Sequence, residues 1–266
     1  MNLKDETESN SNSNSESDTM NEAQEDAHTA RYIAIGDIHG CLEPLQHLIE
    51  TLKPKATDTL VFLGDYIDRG PDSKGVIDYL IELKEQYTCV FLLGNHEVLM
   101  FDYLSGLLSL ADWERNGGIA TLQSYLKHGV MEIPDAHMDF LNSCLFYYDT
   151  PDYFFVHGGV KPFRTIEENL QKMTKLELVW ERSHLDEDTL NANDYKWEKT
   201  VVCGHTPIPR PIVSDKLIAI DTGCVYNQHD QMGRLTAIAL PEKCITQVDN
   251  RIRQSFMQRL FSRWYQ

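Results

Sequence analysis

The sequence predicts an α/β protein in which helices flank central β-sheets and the functional site lies at the carboxyl ends of the strands. Two observations predict this class. From residue 31 onward, short apolar runs alternate with amphipathic stretches, which is typical of strands followed by helices. Each early apolar run also ends in a glycine followed by polar residues, and ligands of α/β sheets collect beyond the strand ends.

The first part of the predicted domain contains three strands, each followed by a helix. Tyr32–Ile35 is an apolar run that ends at Gly36, and Cys41–Leu52 places apolar residues on one helical face. The same alternation predicts a strand at 59–63, a helix at 73–86, a strand at 89–93 and a helix from His96. Residues 98–150 look mainly helical, with a break at Gly117–Gly118. Later strands are predicted at 153–156, 200–203, 217–220 and 235–240.

Composition divides the chain into three segments. Residues 1–28 carry eight acidic residues and one basic residue among Ser and Asn, which predicts a disordered acidic tail. Residues 30–245 have the composition of a folded catalytic domain. Residues 246–266 form a basic segment, predicted to be an amphipathic helix packed on the domain, with a partner or membrane surface as the alternative. Its apolar residues recur every four positions at Ile252, Phe256, Leu260 and Trp264.

Charge and hydropathy exclude several classes of protein. The formal net charge of −17 argues against nucleic acid as a partner, because phosphate backbones require a basic surface. No apolar run reaches the ~18 residues that span a bilayer, and the first residues lack the pattern of a secretory signal. We therefore expect a cytoplasmic protein without a transmembrane segment.

Several cysteines and histidines belong to no recognisable motif. The cysteines lack the spacing of zinc or redox sites and are interpreted as reduced and mostly buried. They are Cys41, Cys89, Cys144, Cys203, Cys224 and Cys244. The remaining histidines are interpreted as surface or structural residues: His28, His47, His128, His137, His184 and His229. Asp221 is predicted to lie in a turn near the site, and a direct role for it stays open.

Five polar motifs each follow a predicted strand. They are Gly36–Gly40, Gly64–Gly70, Gly94–Glu97, His157–Gly159 and Gly204–Thr206. Together they bring six candidate metal ligands to one edge of the sheets, namely Asp37, His39, Asp65, Asn95, His157 and His205. Imidazole with carboxylate suits Mn, Fe or Zn better than Mg or Ca. Six ligands exceed the need of one hydrolytic metal, so the pattern predicts two divalent ions, expected to be Mn²⁺ with Fe or Zn as alternatives.

The motifs resemble those of the phosphoprotein phosphatase family of calcineurin-like metallophosphoesterases, over about residues 31–240. Gly64–Gly70 and Gly94–Glu97 are close to the most diagnostic stretches of that family. The Gly204–Thr206 motif is similar to the bacterial and phage branch. The resemblance implies the layered metallophosphoesterase fold. It also implies that Asp37 and His39 bind the first metal, that Asp65 bridges both, and that the other three ligands complete the second.

The resemblance also implies the catalytic residues. His96 would be the general acid that protonates the leaving oxygen, held by Asp68, and Arg69 would bind the phosphoryl oxygens. A planar guanidinium suits that anion better than Lys, and a His beside a carboxylate favours its protonated form. Arg182, in Val179–Arg182, is the candidate for a second phosphate-binding arginine. A hydroxide shared by the two metals would attack phosphorus in line with the leaving group.

These residues leave three readings of function open. The first is a phosphoserine and phosphothreonine protein phosphatase, with phosphotyrosine as a further substrate. Asp68 favours it, because related diadenosine tetraphosphatases typically lack Asp at this position. The alternative is hydrolysis of dinucleoside polyphosphates or other small phosphorylated molecules. A non-catalytic binding module is opposed by the presence of all six ligands and His96.

Overall fold

The computed structural model describes residues 30–250, which contain ten strands and nine α-helices. The strands are β1 (Arg31–Ile35), β2 (Asp58–Phe62), β3 (Thr88–Phe91), β4 (Tyr147–Asp149), β5 (Tyr153–Val156), β6 (Thr200–Cys203), β7 (Ile212–Val213), β8 (Leu217–Ala219), β9 (Arg234–Leu240) and β10 (Cys244–Asp249). The helices are α1 (Leu42–Leu52), α2 (Ser73–Leu83), α3 (Asn95–Leu104), α4 (Leu110–Arg115), α5 (Gly118–Lys127), α6 (Asp135–Asn142), α7 (Ile166–Lys172), α8 (Lys175–Trp180) and α9 (Glu187–Ala192).

The strands form two mixed sheets of five. The first has the order β10-β9-β1-β2-β3, in which β1, β2 and β3 are parallel and β9 and β10 are antiparallel. The second has the order β4-β5-β6-β8-β7, in which β5, β6 and β8 are parallel and the two edge strands are antiparallel. The carboxyl ends of the parallel strands carry the loops that build the site.

Alternating side chains of β1 explain how the sheets pack in layers. Ala34 points into an apolar cluster that also contains Phe155 and Val202 of the second sheet, so this cluster lies between the sheets. Ile33 and Ile35 point to the opposite face, where they join the core beneath α1 and α2. A third cluster covers the outer face of the second sheet. The layered α/β fold is therefore confirmed.

The structure adds three strands that the sequence analysis did not predict. β4 and β7 are only three and two residues long, and β10 is an edge strand whose side chains are mostly exposed. Such strands lack the apolar alternation on which strand prediction depends. β10 also includes residues on both sides of the predicted boundary at 245. Helix α2 ends at Leu83, three residues before its predicted end at 86.

Several other expectations can be compared with the structure. All six cysteines are free and four are buried, including Cys203 at the end of β6. Within residues 30–250, no helix is both long and apolar enough to cross a membrane. The predicted acidic tail at 1–28 and the predicted helix through Ile252 to Trp264 lie outside the described residues. The cytoplasmic location stays a prediction.

Candidate dimetal active site

The five polar motifs meet at the carboxyl ends of β1, β2, β3, β5 and β6, and all six predicted metal ligands are buried. Asp65 lies at the centre. Its Oδ2 is 3.5 Å from Nε2 of His39, and its Oδ1 is 3.3 Å from Nε2 of His157. Two sets of donor atoms each fall within 4.8 Å of one another, and Asp65 belongs to both sets. The sets are His39–Asp65–His96 and Asp65–His157–His205. Asp65 is therefore the donor that the two sets share, and the predicted general acid His96 takes part in the first of them.

Backbone carbonyls fix the orientation of two of these imidazoles. Nδ1 of His39 lies 2.8 Å from the carbonyl oxygen of Ile67, and Nδ1 of His157 lies 2.8 Å from that of Leu63. A carbonyl only accepts, so each Nδ1 donates and each Nε2 keeps a lone pair directed at the cluster. Nδ1 of His205 is buried without a partner among residues 30–250. The rings of His39 and His157 can therefore each offer Nε2 to a metal, and His205 has a buried nitrogen with no protein partner in this range.

Asp37 and Asn95 lie at the edges of the two sets. Both carboxylate oxygens of Asp37 accept from the backbone N–H of His205, at 3.1 and 3.0 Å. Gly204 makes this approach possible, because a Cβ there would overlap Oδ1 of Asp37. Oδ1 of Asn95 lies 3.1 Å from Nε2 of His157. The geometry brings Asp37 and Asn95 to the cluster, although Asp37 is outside both three-residue sets.

The electrostatics of the cluster suit cations. Burial, followed by the nearby charges of Asp221 and Asp65, raises the pKa of Asp37 well above its usual value. Burial of Asp65 opposes ionisation, yet the surrounding histidines, His157 first, hold its pKa below the usual value. Burial lowers the pKa of His39 to about 3 and that of His205 to about 2, so both imidazoles are neutral donors at pH 7. Crowded carboxylates beside neutral imidazoles are the donor set that divalent transition metals require.

His96 and Asp68 form a tightly held pair. Nδ1 of His96 lies 2.7 Å from Oδ2 of Asp68, which also accepts from Nε1 of Trp113 at 2.9 Å. Oδ1 of Asp68 accepts from the hydroxyl of Thr121 at 2.7 Å. Nε2 of His96 faces the cluster, 4.0 Å from Oδ2 of Asp65. The pairing fixes the imidazole with its second nitrogen directed at the site.

Glu97 is a structural residue of the site to which sequence reasoning assigned no role. Its buried carboxylate accepts backbone N–H groups of Asp65 at 3.0 Å, Tyr66 at 2.8 Å and Gly94 at 2.9 Å. It therefore holds the loop that carries the central carboxylate. Glu97 is the third residue of α3, a position at which Glu commonly forms a capping box. That position is the feature of the sequence that could have indicated its structural role.

The site loops contain an unusual density of left-handed backbone. Five site residues have φ between 47° and 69°, namely His39, Asp65, Asp68, Arg69 and His205. Such conformations cost non-glycine residues about 1–3 kcal/mol each and persist where the surroundings hold them. The hydrogen bonds that the carboxylates of Glu97 and Asp68 accept support the loop that carries Asp65 and Asp68.

Two exposed arginines reach the buried cluster. Nη1 of Arg69 is 2.7 Å from Nε2 of His39, and Nη2 of Arg182 is 2.6 Å from Nε2 of His205. Among residues 30–250, neither guanidinium has a carboxylate within salt-bridge distance. Glu181, the neighbour of Arg182, is instead paired with Lys161. Both predicted phosphate-binding arginines are therefore exposed residues that contact the donor cluster, one at each set.

The remaining sequence candidates have structural positions. Asp221 is buried, and its Oδ1 accepts the N–H of Gly223 at 2.8 Å, which forms the predicted turn. Burial raises the pKa of Asp221 to about 7. His137 is buried and hydrogen-bonded to Tyr125, and His184 is buried in the second-sheet core. His47, His128 and His229 are exposed.

The fold and the site define a metallophosphoesterase. The chain belongs to the calcineurin-like phosphoesterase family, whose family model matches residues 30–235. It is a hydrolase that acts on phosphate esters. The resemblance to calcineurin-like metallophosphoesterases is confirmed.

The curated relatives carry tetraphosphatase names. The chain is 29% identical over 254 residues to the asymmetrical bis(5'-nucleosyl)-tetraphosphatase PrpE of Oceanobacillus iheyensis, covering 86% of this chain and 95% of the relative. It is 33% identical over 177 residues to the symmetrical bis(5'-nucleosyl)-tetraphosphatase of Pseudomonas putida, covering 63% of this chain and 57% of the relative. These names do not support the narrower expectation of a serine/threonine protein phosphatase.

Solved structures agree with the fold. A crystal structure assigned as a candidate diadenosine tetraphosphatase is 27% identical, with a TM-score of 0.59, and covers 85% of this chain and 96% of that chain. The cold-active protein tyrosine phosphatase of a psychrophilic Shewanella is 17% identical, with a TM-score of 0.58, and the match covers 84% of this chain and 80% of that chain. At that identity, the second likeness shows the fold alone.

Proposed function

We propose that this protein hydrolyses dinucleoside polyphosphates such as diadenosine tetraphosphate. The observation that carries this proposal is the pair of exposed guanidiniums, Arg69 and Arg182, on one donor centre. A chain of several phosphates has enough charge and length to engage both arginines and the metals, and planar guanidiniums match phosphate oxygens. The names of the relatives support the same substrate class.

The residues fit two divalent ions. Asp37, His39 and Asp65 would hold the first, and Asp65 together with the remaining predicted ligands would hold the second. When bound, the ions supply positive charge to the phosphoryl oxygens and lower the pKa of the water that attacks phosphorus. Mn²⁺ is the proposed metal, with Fe or Zn as alternatives, because this mixture of nitrogen and oxygen donors accepts all three.

His96 supplies the proton that the reaction needs. As the water oxygen bonds to phosphorus, the bridging P–O bond breaks and the leaving phosphate oxygen gains charge. Asp68, 2.7 Å from Nδ1, fixes the orientation of the imidazole, and Nε2 faces the cluster, where it can donate to that oxygen. The guanidiniums of Arg69 and Arg182 bind the non-bridging oxygens and stabilise the charge that develops on them.

The second candidate function is a phosphoprotein phosphatase. The Asp68–His96 pair favours it, since the sequence resemblance associates Asp at this position with protein phosphatases. The site chemistry would be the same, and only the groups around the phosphate would differ. Substrate preference therefore separates the two proposals.

A comparison of substrates tests the proposal on the full-length, Mn²⁺-loaded protein. We expect kcat/KM for diadenosine tetraphosphate to exceed that for phosphothreonine and phosphotyrosine peptides by about 10-fold or more, and a chelator to abolish turnover. Products resolved by chromatography distinguish ATP plus AMP from two ADP, which are the asymmetrical and symmetrical outcomes. A preference for either peptide would overturn the proposal in favour of the phosphatase.

A further inference from the structure

Few aromatic rings are exposed among residues 30–250 of this chain. Among residues 30–250, the aromatic side chains exposed by more than a third are Phe163 at 58%, Trp180 at 40% and Tyr226 at 37%. Two of these three contact a residue of the donor cluster or its arginines. Rings left open to solvent beside a phosphate-binding site are suited to stacking against a planar ligand.

Tyr226 lies beside Arg69. Cζ of Arg69 is 6.0 Å from the centroid of the Tyr226 ring. The backbone N–H of Tyr226 donates to the carbonyl of Gly223 at 2.9 Å, which closes a tight turn. A Cβ on Gly223 would lie 2.8 Å from Cδ2 of that ring, and Gly223 has a φ of +65°. The turn thus requires glycine and holds the ring in a defined position against the arginine.

Trp180 lies beside His205, the imidazole that Arg182 contacts. Its ring lies edge-on to that of His205, with centroids 5.8 Å apart and an interplanar angle of 89°. Trp180 ends α8, two residues before Arg182. Glu181 between them accepts from the N–H of Ser183 at 2.7 Å and pairs with Lys161, so its charge is used elsewhere. The exposed ring and the exposed guanidinium therefore both contact His205.

The two pairs lie on different sides of the central carboxylate. Arg69 contacts His39, which belongs to one donor set, and Arg182 contacts His205, which belongs to the other. Asp65 is common to both sets. Each side consequently presents a cation for phosphate together with an exposed ring. A ligand that uses both sides has a phosphate chain in the middle and a planar group at each end.

We propose that Tyr226 and Trp180 are the stacking surfaces for the two nucleobases of a dinucleoside polyphosphate. This inference rests on the proposed function and adds how the site selects a substrate with a base at both ends. A mononucleotide would use one ring, and inorganic polyphosphate neither. Stacking on an aromatic ring accepts any base, so the site selects for two bases rather than for adenine.

The test uses the full-length, Mn²⁺-loaded protein with Tyr226→Leu, Trp180→Leu and the double variant. We expect kcat/KM for diadenosine tetraphosphate to fall by about 10-fold in each single variant and about 100-fold in the double variant, mainly through KM. Inorganic tripolyphosphate, measured as an inhibitor, is the base-free probe, and its inhibition constant should change by less than about 3-fold. Tyr226→Phe keeps the ring and should restore the wild-type value.

Phe163→Leu is the matched control, since this exposed ring lies beneath its neighbour Arg164 rather than a cation of the cluster. We expect no change in that variant. Equal losses for diadenosine tetraphosphate and tripolyphosphate would show that the rings only support the arginines, and would overturn the inference. Unchanged KM in the double variant would also overturn it. A wild-type protein that does not cleave the dinucleotide would instead overturn the proposed function itself.

Discussion

The loops of the first sheet form one half of the active site and the loops of the second sheet form the other half. The two halves differ in how completely their buried polar groups are hydrogen-bonded. In the loops of the first sheet, the carboxylates of Asp68 and Glu97 accept hydrogen bonds on both of their oxygens. In the loops of the second sheet, several buried polar atoms have no partner among residues 30–250. They are Ser183 Oγ, His184 Nδ1, His205 Nδ1 and Thr206 Oγ1.

This difference assigns different physical tasks to the halves. The first half is organised by the chain itself, so the His96–Asp68 pair and the carboxylate of Asp65, for which general-acid and bridging roles are proposed, are oriented before any ligand binds. Buried polar atoms without partners are costly, at about 1–3 kcal/mol each, and ions, water or phosphate oxygens can satisfy them. The second half is therefore the part of the site that we expect to respond most to ligands.

The largest effect should follow from the residue that joins the halves. Asp65→Asn keeps the shape of the side chain but removes the charge shared by both donor sets. We expect kcat to fall by at least about 10³-fold and the metal content, measured by mass spectrometry, to fall with it. Asp215→Asn is the control, because that carboxylate is exposed and paired only with Lys243. A variant with normal metal content and activity would contradict the bridging role.

The first half should be most sensitive at its proton donor. His96→Asn removes the acid while preserving a group that can hydrogen-bond to Asp68. We expect kcat on diadenosine tetraphosphate to fall by about 10²- to 10³-fold, and p-nitrophenyl phosphate turnover to fall much less, since nitrophenolate leaves without a proton. Equal losses on the two substrates would remove the general-acid role from His96.

Rigidity of the first half can be tested at Glu97. In Glu97→Gln, the amide NH₂ replaces one of the two carboxylate oxygens. It then faces either the backbone N–H groups of Asp65 and Gly94 or the backbone N–H of Tyr66, so a donor faces donors. We expect a loss of about 3 kcal/mol in the free energy of unfolding, measured with urea, and a weaker affinity for metal. Glu132→Gln, at an exposed loop position, should leave both quantities unchanged. Unaltered stability of Glu97→Gln would mean that the loop is held without this carboxylate.

Local sequence patterns predicted the parts of the site that are local. The strand ends, the candidate ligand types and the glycines beside them recur within a few residues, and these side chains lie together in the fold. The partners of Asp68 come from elsewhere, because Trp113 and Thr121 lie 45 and 53 residues away along the chain. The periodicity of apolar residues along the sequence does not predict contacts between residues so far apart in the chain.

The second half shows the same limit. Arg182 was predicted from a short motif, but Trp180, two positions earlier in the same motif, received no role. Its exposure and its place beside His205 depend on how the end of α8 meets the loop after β5, where Gly158 and Gly159 donate to the carbonyl of Leu178. Tyr226 likewise becomes a candidate binding residue only once its distance to Arg69 is known. Surface aromatics become candidates for binding when their neighbours in space are known.

The smallest predicted effect concerns the stability of the second half at acid pH. Burial lowers the pKa of His184 to about 4, with Cys203, Glu181 and Lys161 as its titratable neighbours. Unfolded His titrates near 6.5, so the folded state binds fewer protons between these values. Stability contributed by neutral His184 is thus complete above about pH 6.5 and is lost as pH falls toward 4.

We expect acidification from about pH 7.5 to pH 5 to destabilise the wild-type protein by about 2 kcal/mol more than His184→Gln, in urea titrations of the two proteins. The metal ligands titrate alike in both, so the difference isolates this imidazole. His229→Gln, which alters an exposed histidine, should follow the wild type. If the free energy of unfolding changes with pH equally in wild type and His184→Gln, the second half accommodates a charged imidazole at position 184. The difference between the two halves would then be limited to the candidate metal ligands.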